Sequence, residues 1–254
     1  MKTLKVLSAL LTYPTPELLA AAGELKAVLR AEKVLTGGHL DAVESLIDDI
    51  AGRDLYDAQE RYILLFDRTR SLSLHLFEHV HGESRDRGQA MVDLIQVYEE
   101  GGFRPVSDEL PDFLPMFLEY AATRPAAEAV ELVGQPGHVF AALRERLAKR
   151  GSPYEAVFSA LSALSKARLD TEALERLRAE PDPEPDDLEA LDAAWEEEEV
   201  TFGPGAAADA CGKDSLAVRL RQARRPAPGL EPVPGAGPRT VITRNAITPL
   251  RPGA

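Results

Sequence analysis

The chain has 254 residues, 44% of them hydrophobic and 6% aromatic, and carries a formal net charge of −13. That is enough apolar material to bury a core in one or two domains, filled mainly by aliphatic side chains. The acidic balance argues against nucleic acid, whose binders normally show a basic face, and favours a basic peptide or protein as partner.

Leu4, Leu7, Leu10 and Leu11 share one helical face, and Tyr13-Pro14 ends that helix. Lys2 and Lys5 before the short apolar run mimic a signal peptide. The run stops at Pro14 without a small-x-small cleavage pattern, so it reads as a first core helix. Thr15 caps a second helix, with Pro16 in its first turn and Leu18, Leu25, Val28 and Leu29 inward, until Gly37-Gly38 breaks the pattern. Val43, Leu46, Ile47 and Ile50 form a third stripe. Asp54 opens a fourth helix with Leu55, Tyr62, Leu65 and Phe66 inward. Leu72, Leu74 and Leu76 alternate as a strand would, but no comparable strand exists to pair with them, so a helix is expected from there through Phe77 and Val80 to about Gly82.

Met91, Leu94, Ile95 and Tyr98 mark the next helix, ended by Gly101-Gly102. Asp112 is expected to open another, with Phe113, Met116, Phe117 and Tyr120 inward. Helices follow around 126–133 and 139–149. The "SPYE" of Ser152–Glu155 reads as a capping box for one carrying Ala156, Phe158, Leu161 and Leu164. No stretch offers ~20 uninterrupted apolar residues, so no membrane span is expected.

After Glu180 the composition changes. "EPDPEPDD" reads as an acidic linker and "DDLEALDAAWEEEEV" as an acidic helix that Trp195 and Phe202 could anchor to the body. Beyond Gly203 the Gly-, Ala- and Pro-rich chain buries too little apolar surface to order itself. The expected organisation is a single compact all-α domain over 1–178, an acidic linker and helix over 179–203, and a disordered tail over 204–254. The one cysteine, Cys211, falls in that tail; a disulfide within the chain is excluded, which fits a reducing compartment.

The densest chemistry lies between Ser71 and Met91. His75-x-x-Glu78-His79 has the H-x-x-E-H order of a class of zinc peptidases. On one helix His75 and His79 would share a face, with Glu78 as base, but no further segment singles out the third ligand such a site needs. The plainer alternative has the histidines at a helix C-terminus, where a cation meets the helix dipole favourably. Arg85, Arg87 and Gln89 just beyond either bind a peptide backbone or carboxylate or staple helices together. No phosphate-binding glycine loop, dinucleotide fingerprint or paired C-x-x-C occurs.

"LFDRTRSLSLHLFEHVHGESRDRGQAMVDLIQVYEEGGF", residues 65–103, closely resembles the signature of the NarJ-type chaperones, the delta subunits of respiratory nitrate reductase within the wider TorD-like family. "LSALLTYPTPEL", "ELPDFLPMFLEY" and "LDAAWEEEEVTFG" resemble further blocks of that family. The resemblance implies an all-helical, cytoplasmic assembly factor and not an enzyme, with no cofactor or metal of its own. It would bind the N-terminal region of the nitrate reductase catalytic subunit, with molybdenum cofactor biosynthesis proteins as further partners. It would hold that subunit competent for insertion of the molybdenum cofactor and an iron–sulfur cluster. Carried onto the matching block, the client-peptide surface comprises Leu72, His75, Leu76, His79, Arg85, Arg87 and Gln89. Binding through His75 or His79 should then change around neutral pH, since an unperturbed histidine titrates at ~6.5. The alternatives are a chaperone for another molybdenum enzyme, such as a sulfoxide or N-oxide reductase, and the H-x-x-E-H zinc hydrolase.

Overall fold

In a computed structural model, which describes residues 1–81, 85–105, 108–165, 167–183 and 187, the N-terminal leucine stripe forms the inner face of α1 (Lys2–Leu10). Leu4, Val6, Leu7 and Leu10 are all buried. α1 packs against α8 (Leu114–Ala122) and α3 (Ala22–Glu32). Polar ties fix both contacts. Ser8 Oγ donates to the carbonyl of Pro115 at 2.7 Å, and the Thr3 hydroxyl donates to Glu32 at 2.6 Å.

Thr15 caps α2 (Pro16–Ala20) as its sequence predicts, its side chain accepting from the Leu18 N–H. The single helix expected to run on to Leu29 is instead two, because the chain turns at Ala21 (φ −79°, ψ −1°) before α3 begins. α3 stops at Lys33, which takes a left-handed φ of 56°, and not at the glycines. Gly37, at φ 55°, leads into α4 (Gly38–Ala51). Asp54 caps α5 (Leu55–Phe66) by accepting from the Tyr56 N–H at 2.9 Å.

The helix expected over Leu72–Val80 is shorter and starts later. A 3-10 turn (Arg70–Leu72) is followed by a short non-helical connection at 73–75, with a bridge at His75, and only then by α6 (Leu76–His81). Of the alternating leucines only Leu74 lies outside the helical turns, next to a single bridge residue. The partner of this connection is not a second strand but the two residues beside Phe113. Leu76 N–H donates to the Asp112 carbonyl (3.1 Å) and Leu114 N–H to the Leu74 carbonyl (2.8 Å), making one isolated bridge between His75 and Phe113.

α7 (Arg85–Glu100) ends where the glycines predict: Gly102 takes φ 77°, and Phe103 N–H returns to the Tyr98 carbonyl at 2.8 Å. α9 (Ala126–Gly134) and α10 (Gly137–Lys149) follow. α11 (Glu155–Leu164) packs on α10 and α4, with Phe140 and Phe158 in ring contact at 6.2 Å. The capping box at Ser152 does not form. The Ser152 carbonyl, not its hydroxyl, accepts from Glu155 N–H, because Tyr154 is drawn inward against Phe66 (5.1 Å) and the helix starts after it.

α12 (Thr171–Ala179) has no counterpart in the expected helices. Asp170 caps it, and Leu174 and Leu177 bury its inner side against α10. The described residues are all-helical apart from the 3-10 turn and the His75–Phe113 bridge, and none of their helices is long and apolar enough to cross a membrane. Contacts continue to Pro183. The acidic helix, Trp195, Phe202, Cys211 and the tail lie outside the described residues.

Candidate functional site

The central block is organised around a carboxylate the sequence assigned to another helix. Asp112 does not cap α8, whose N-cap is Phe113. It is fully buried, and its Oδ2 accepts from the Phe77 N–H at 3.0 Å, capping α6 from across the fold. Its Oδ1 lies 3.3 Å from His75 Nδ1, which donates to it. The His75 ring also lies against Phe113, with centroids 5.4 Å apart. Burial works against charge on His75, but the hydrogen bond to Asp112 and the carboxylates of Asp112, Glu78 and Glu109 outweigh it. The pKa of His75 is therefore raised.

His79 is different. It is 8% exposed, and its Nε2–H donates to the Ser73 carbonyl at 2.8 Å. Burial lowers its pKa to about 4, assisted by the positive field of Arg146. It is a neutral imidazole at neutral pH, so the expected titration around neutrality is corrected for His79, while that of His75 is moved upward. The two histidines do not share a helical face, since His75 precedes α6, and the ring nitrogens above are committed to Asp112 and Ser73. That geometry does not favour the H-x-x-E-H reading.

Leu72 and Leu76 are buried and belong to the main core. Arg85 opens α7, and Arg87 Nη2 donates to Glu78 Oε1 at 3.0 Å, joining α7 to α6. Gln89 is exposed and donates to Asp93 Oδ1 at 3.0 Å. Six of the seven candidate residues thus divide by depth. Leu72, Leu76 and His79 point into the fold, while His75, Arg87 and Gln89 reach its surface or half-reach it.

Residues 17–160 match the family described as nitrate reductase delta subunit. The chain belongs to that family. Over 222 residues, 87% of this chain and 92% of the relative, it is 41% identical to the nitrate reductase molybdenum cofactor assembly chaperone NarJ of Escherichia coli strain K12. It is also 37% identical over 202 residues to the same strain's NarW, named a probable chaperone of that kind, covering 80% of this chain and 84% of the relative. A Bacillus subtilis NarJ of the same description shares 30% over 164 residues, 63% of this chain and 86% of the relative.

Within this delta-subunit chain one buried cation ties the block to α12, with little warning of it in the sequence. Arg146, on α10, donates to the carbonyl of Ser71 (2.7 Å) and to that of Leu177 (2.5 Å). Beside it the Ser71 hydroxyl donates to Asp182 Oδ1 at 2.8 Å, and Arg150 donates to the same oxygen at 2.6 Å and to the Pro183 carbonyl at 2.9 Å. Burial opposes ionisation of Asp182, but those hydrogen bonds prevail and lower its pKa. The only sequence signal was the i, i+4 spacing of Arg146 and Arg150, which put both on one side of α10.

Proposed function

We propose that this protein is a cytoplasmic assembly chaperone, not an enzyme, that binds the N-terminal region of a nitrate reductase catalytic subunit. It holds that subunit competent until the molybdenum cofactor and an iron–sulfur cluster are inserted; the cofactor is cargo for the client. The observation that carries the reading is the 41% identity to a molybdenum cofactor assembly chaperone over nearly its whole length. The geometry supports it, because His75, Glu78, His79 and Asp112 are engaged in hydrogen bonds and a helix cap that hold the block's own fold.

In this reading His75, Arg85, Arg87 and Gln89 meet the client, while Leu72, Leu76 and His79 set the surface on which they stand. Molybdenum cofactor biosynthesis proteins are further partners. The acidic chain, at −13, accelerates encounter with a basic client segment. The test is complementation in cells that lack their own chaperone but express the reductase. Expression of this chain should restore molybdenum content and nitrate reduction, and the catalytic subunit should co-purify with it. A reductase that stays cofactor-free, or a co-purifying sulfoxide or N-oxide reductase instead, overturns the proposal.

A further inference from the structure

Among its polar residues, the outer side of α7 exposes two aliphatic side chains to solvent. Val92 is 59% and Ile95 38% exposed, and Met91 beside them is only half-buried. Met91 packs its buried side against the core, but the inner face does not need Val92 or Ile95. Ala90, Leu94, Val97 and Tyr98 already fill it, and Tyr98 anchors it by donating to the Pro111 carbonyl at 2.8 Å.

Gly88 lies in line with the exposed pair, four residues before Val92 and seven before Ile95, and Glu99 continues the row. The spacing of four, three and four is that of a helix–helix seam. Glycine inside a helix is unfavourable relative to alanine. Nothing in the described fold requires it here: a Cβ built at Gly88 meets no atom within 4 Å, and its φ is not positive. A residue that weakens its own helix without an internal reason, in register with two exposed aliphatic side chains, leaves a notch for a side chain from outside.

Charge selects the occupant. The seam runs into Glu99 and Glu100 at the C-terminal end of α7, where the helix dipole is also negative. Arg87, near the other end of α7, is paired with Glu78. The chain's own acidic segment at 188–202 would meet like charge there. We infer that the Gly88–Val92–Ile95–Glu99 seam docks an amphipathic helix of the client, its apolar side on Val92 and Ile95, a bulky apolar residue over Gly88, and its basic residues toward Glu99 and Glu100. This rests on the chaperone reading above and adds to it the surface and the chemistry of what sits there.

The test uses the full-length chain and, as probe, the purified cofactor-free catalytic subunit of nitrate reductase, with affinity read by titration. Val92→Glu with Ile95→Glu should leave the melting temperature unchanged and weaken binding about tenfold or more. Gly88→Ala should raise the melting temperature by about 2–4 °C yet bind more weakly, an opposition that a misfolded variant cannot produce. Double-glutamate and Gly88→Ala proteins that bind like wild type overturn the seam while leaving the chaperone reading standing. A wild-type chain that does not bind the subunit overturns that reading and this one with it. Sedimentation showing a dimer dissolved by the two glutamates, with client affinity unchanged, assigns the seam to a second copy and overturns the proposal.

Discussion

Acidification should unmask His79. Its ring is buried and its Nε2–H donates to the Ser73 carbonyl, with its pKa lowered to about 4 against ~6.5 for the unfolded chain. Above ~6.5 the imidazole is neutral in both states and the folded arrangement keeps its full contribution. As the pH falls from there, the unfolded chain takes up a proton that the folded chain refuses. Stability therefore drops with pH, and the loss is complete below about 4. Each pKa unit corresponds to about 1.4 kcal/mol, so the whole displacement amounts to about 3 kcal/mol. That is a large part of the ~5–15 kcal/mol that holds a typical domain together. Urea unfolding of wild type and His79→Gln across the pH range isolates the effect, because the glutamine amide can still donate to Ser73 but does not titrate. Carboxylates held low by their partners, such as Asp49 and Asp182, destabilise both proteins alike on acidification and cancel. The difference between the two curves should be flat at neutral pH and shift by about 3 kcal/mol toward about pH 4. Parallel curves, or a nuclear magnetic resonance titration of His79 near ~6.5, would refute the reasoning.

His75 should behave oppositely: its pKa is raised, so its contribution is full below ~6.5 and is lost as pH rises through the folded value. Proton resonance titration should place its midpoint above that of His79, and Asp112→Asn should lower it. Asp112→Ala removes both the cap on Phe77 and the His75 partner and should cost about 2 kcal/mol in urea unfolding. Arg146→Met leaves the Ser71 and Leu177 carbonyls without their donor and should cost about 3 kcal/mol, with earlier proteolytic cleavage around α12. Leu72→Ala, at a site with 0% exposure, should cost about 3 kcal/mol and weaken client binding only through loss of fold, as thermal melts beside titrations would show.

The helices with clean apolar stripes were legible because their spacing reports one buried face. α1, α4 and α5 hold the leucines, valines and isoleucines that the sequence nominates, and Thr15 and Asp54 cap as expected. What spacing does not report is a partner far along the chain. Asp112 next to α8 looks like that helix's cap, and only the fold reveals that Phe77 and His75 claim it. The same limit governed the break between Leu72 and Leu76, where two hydrogen bonds to residues 112–114 hold the chain in a bridge before α6 begins. His79 was legible as a polar residue near a helix end but not as a buried one, because a single histidine among leucines carries no sign of which way its ring turns. α12 has only Leu174 and Leu177 to signal it, too few for a stripe.

The tie between Ser71 and Asp182 spans 111 residues of chain. Closing so long a loop costs entropy before any contact rewards it, so such pairings tend to form late in folding. Arg146 and Arg150, on the helix between, meet the same late arrivals at Leu177 and Asp182. The central block, although it stands in the first half of the chain, is therefore expected to be among the last parts to be completed. Pulsed hydrogen exchange during refolding should find the amides of residues 72–77 protected only when those of α12 are. A newly made molecule would then acquire a finished client surface only once α12 is in place, and a chain cut short before α12 would fold most of its other described helices and still lack that surface.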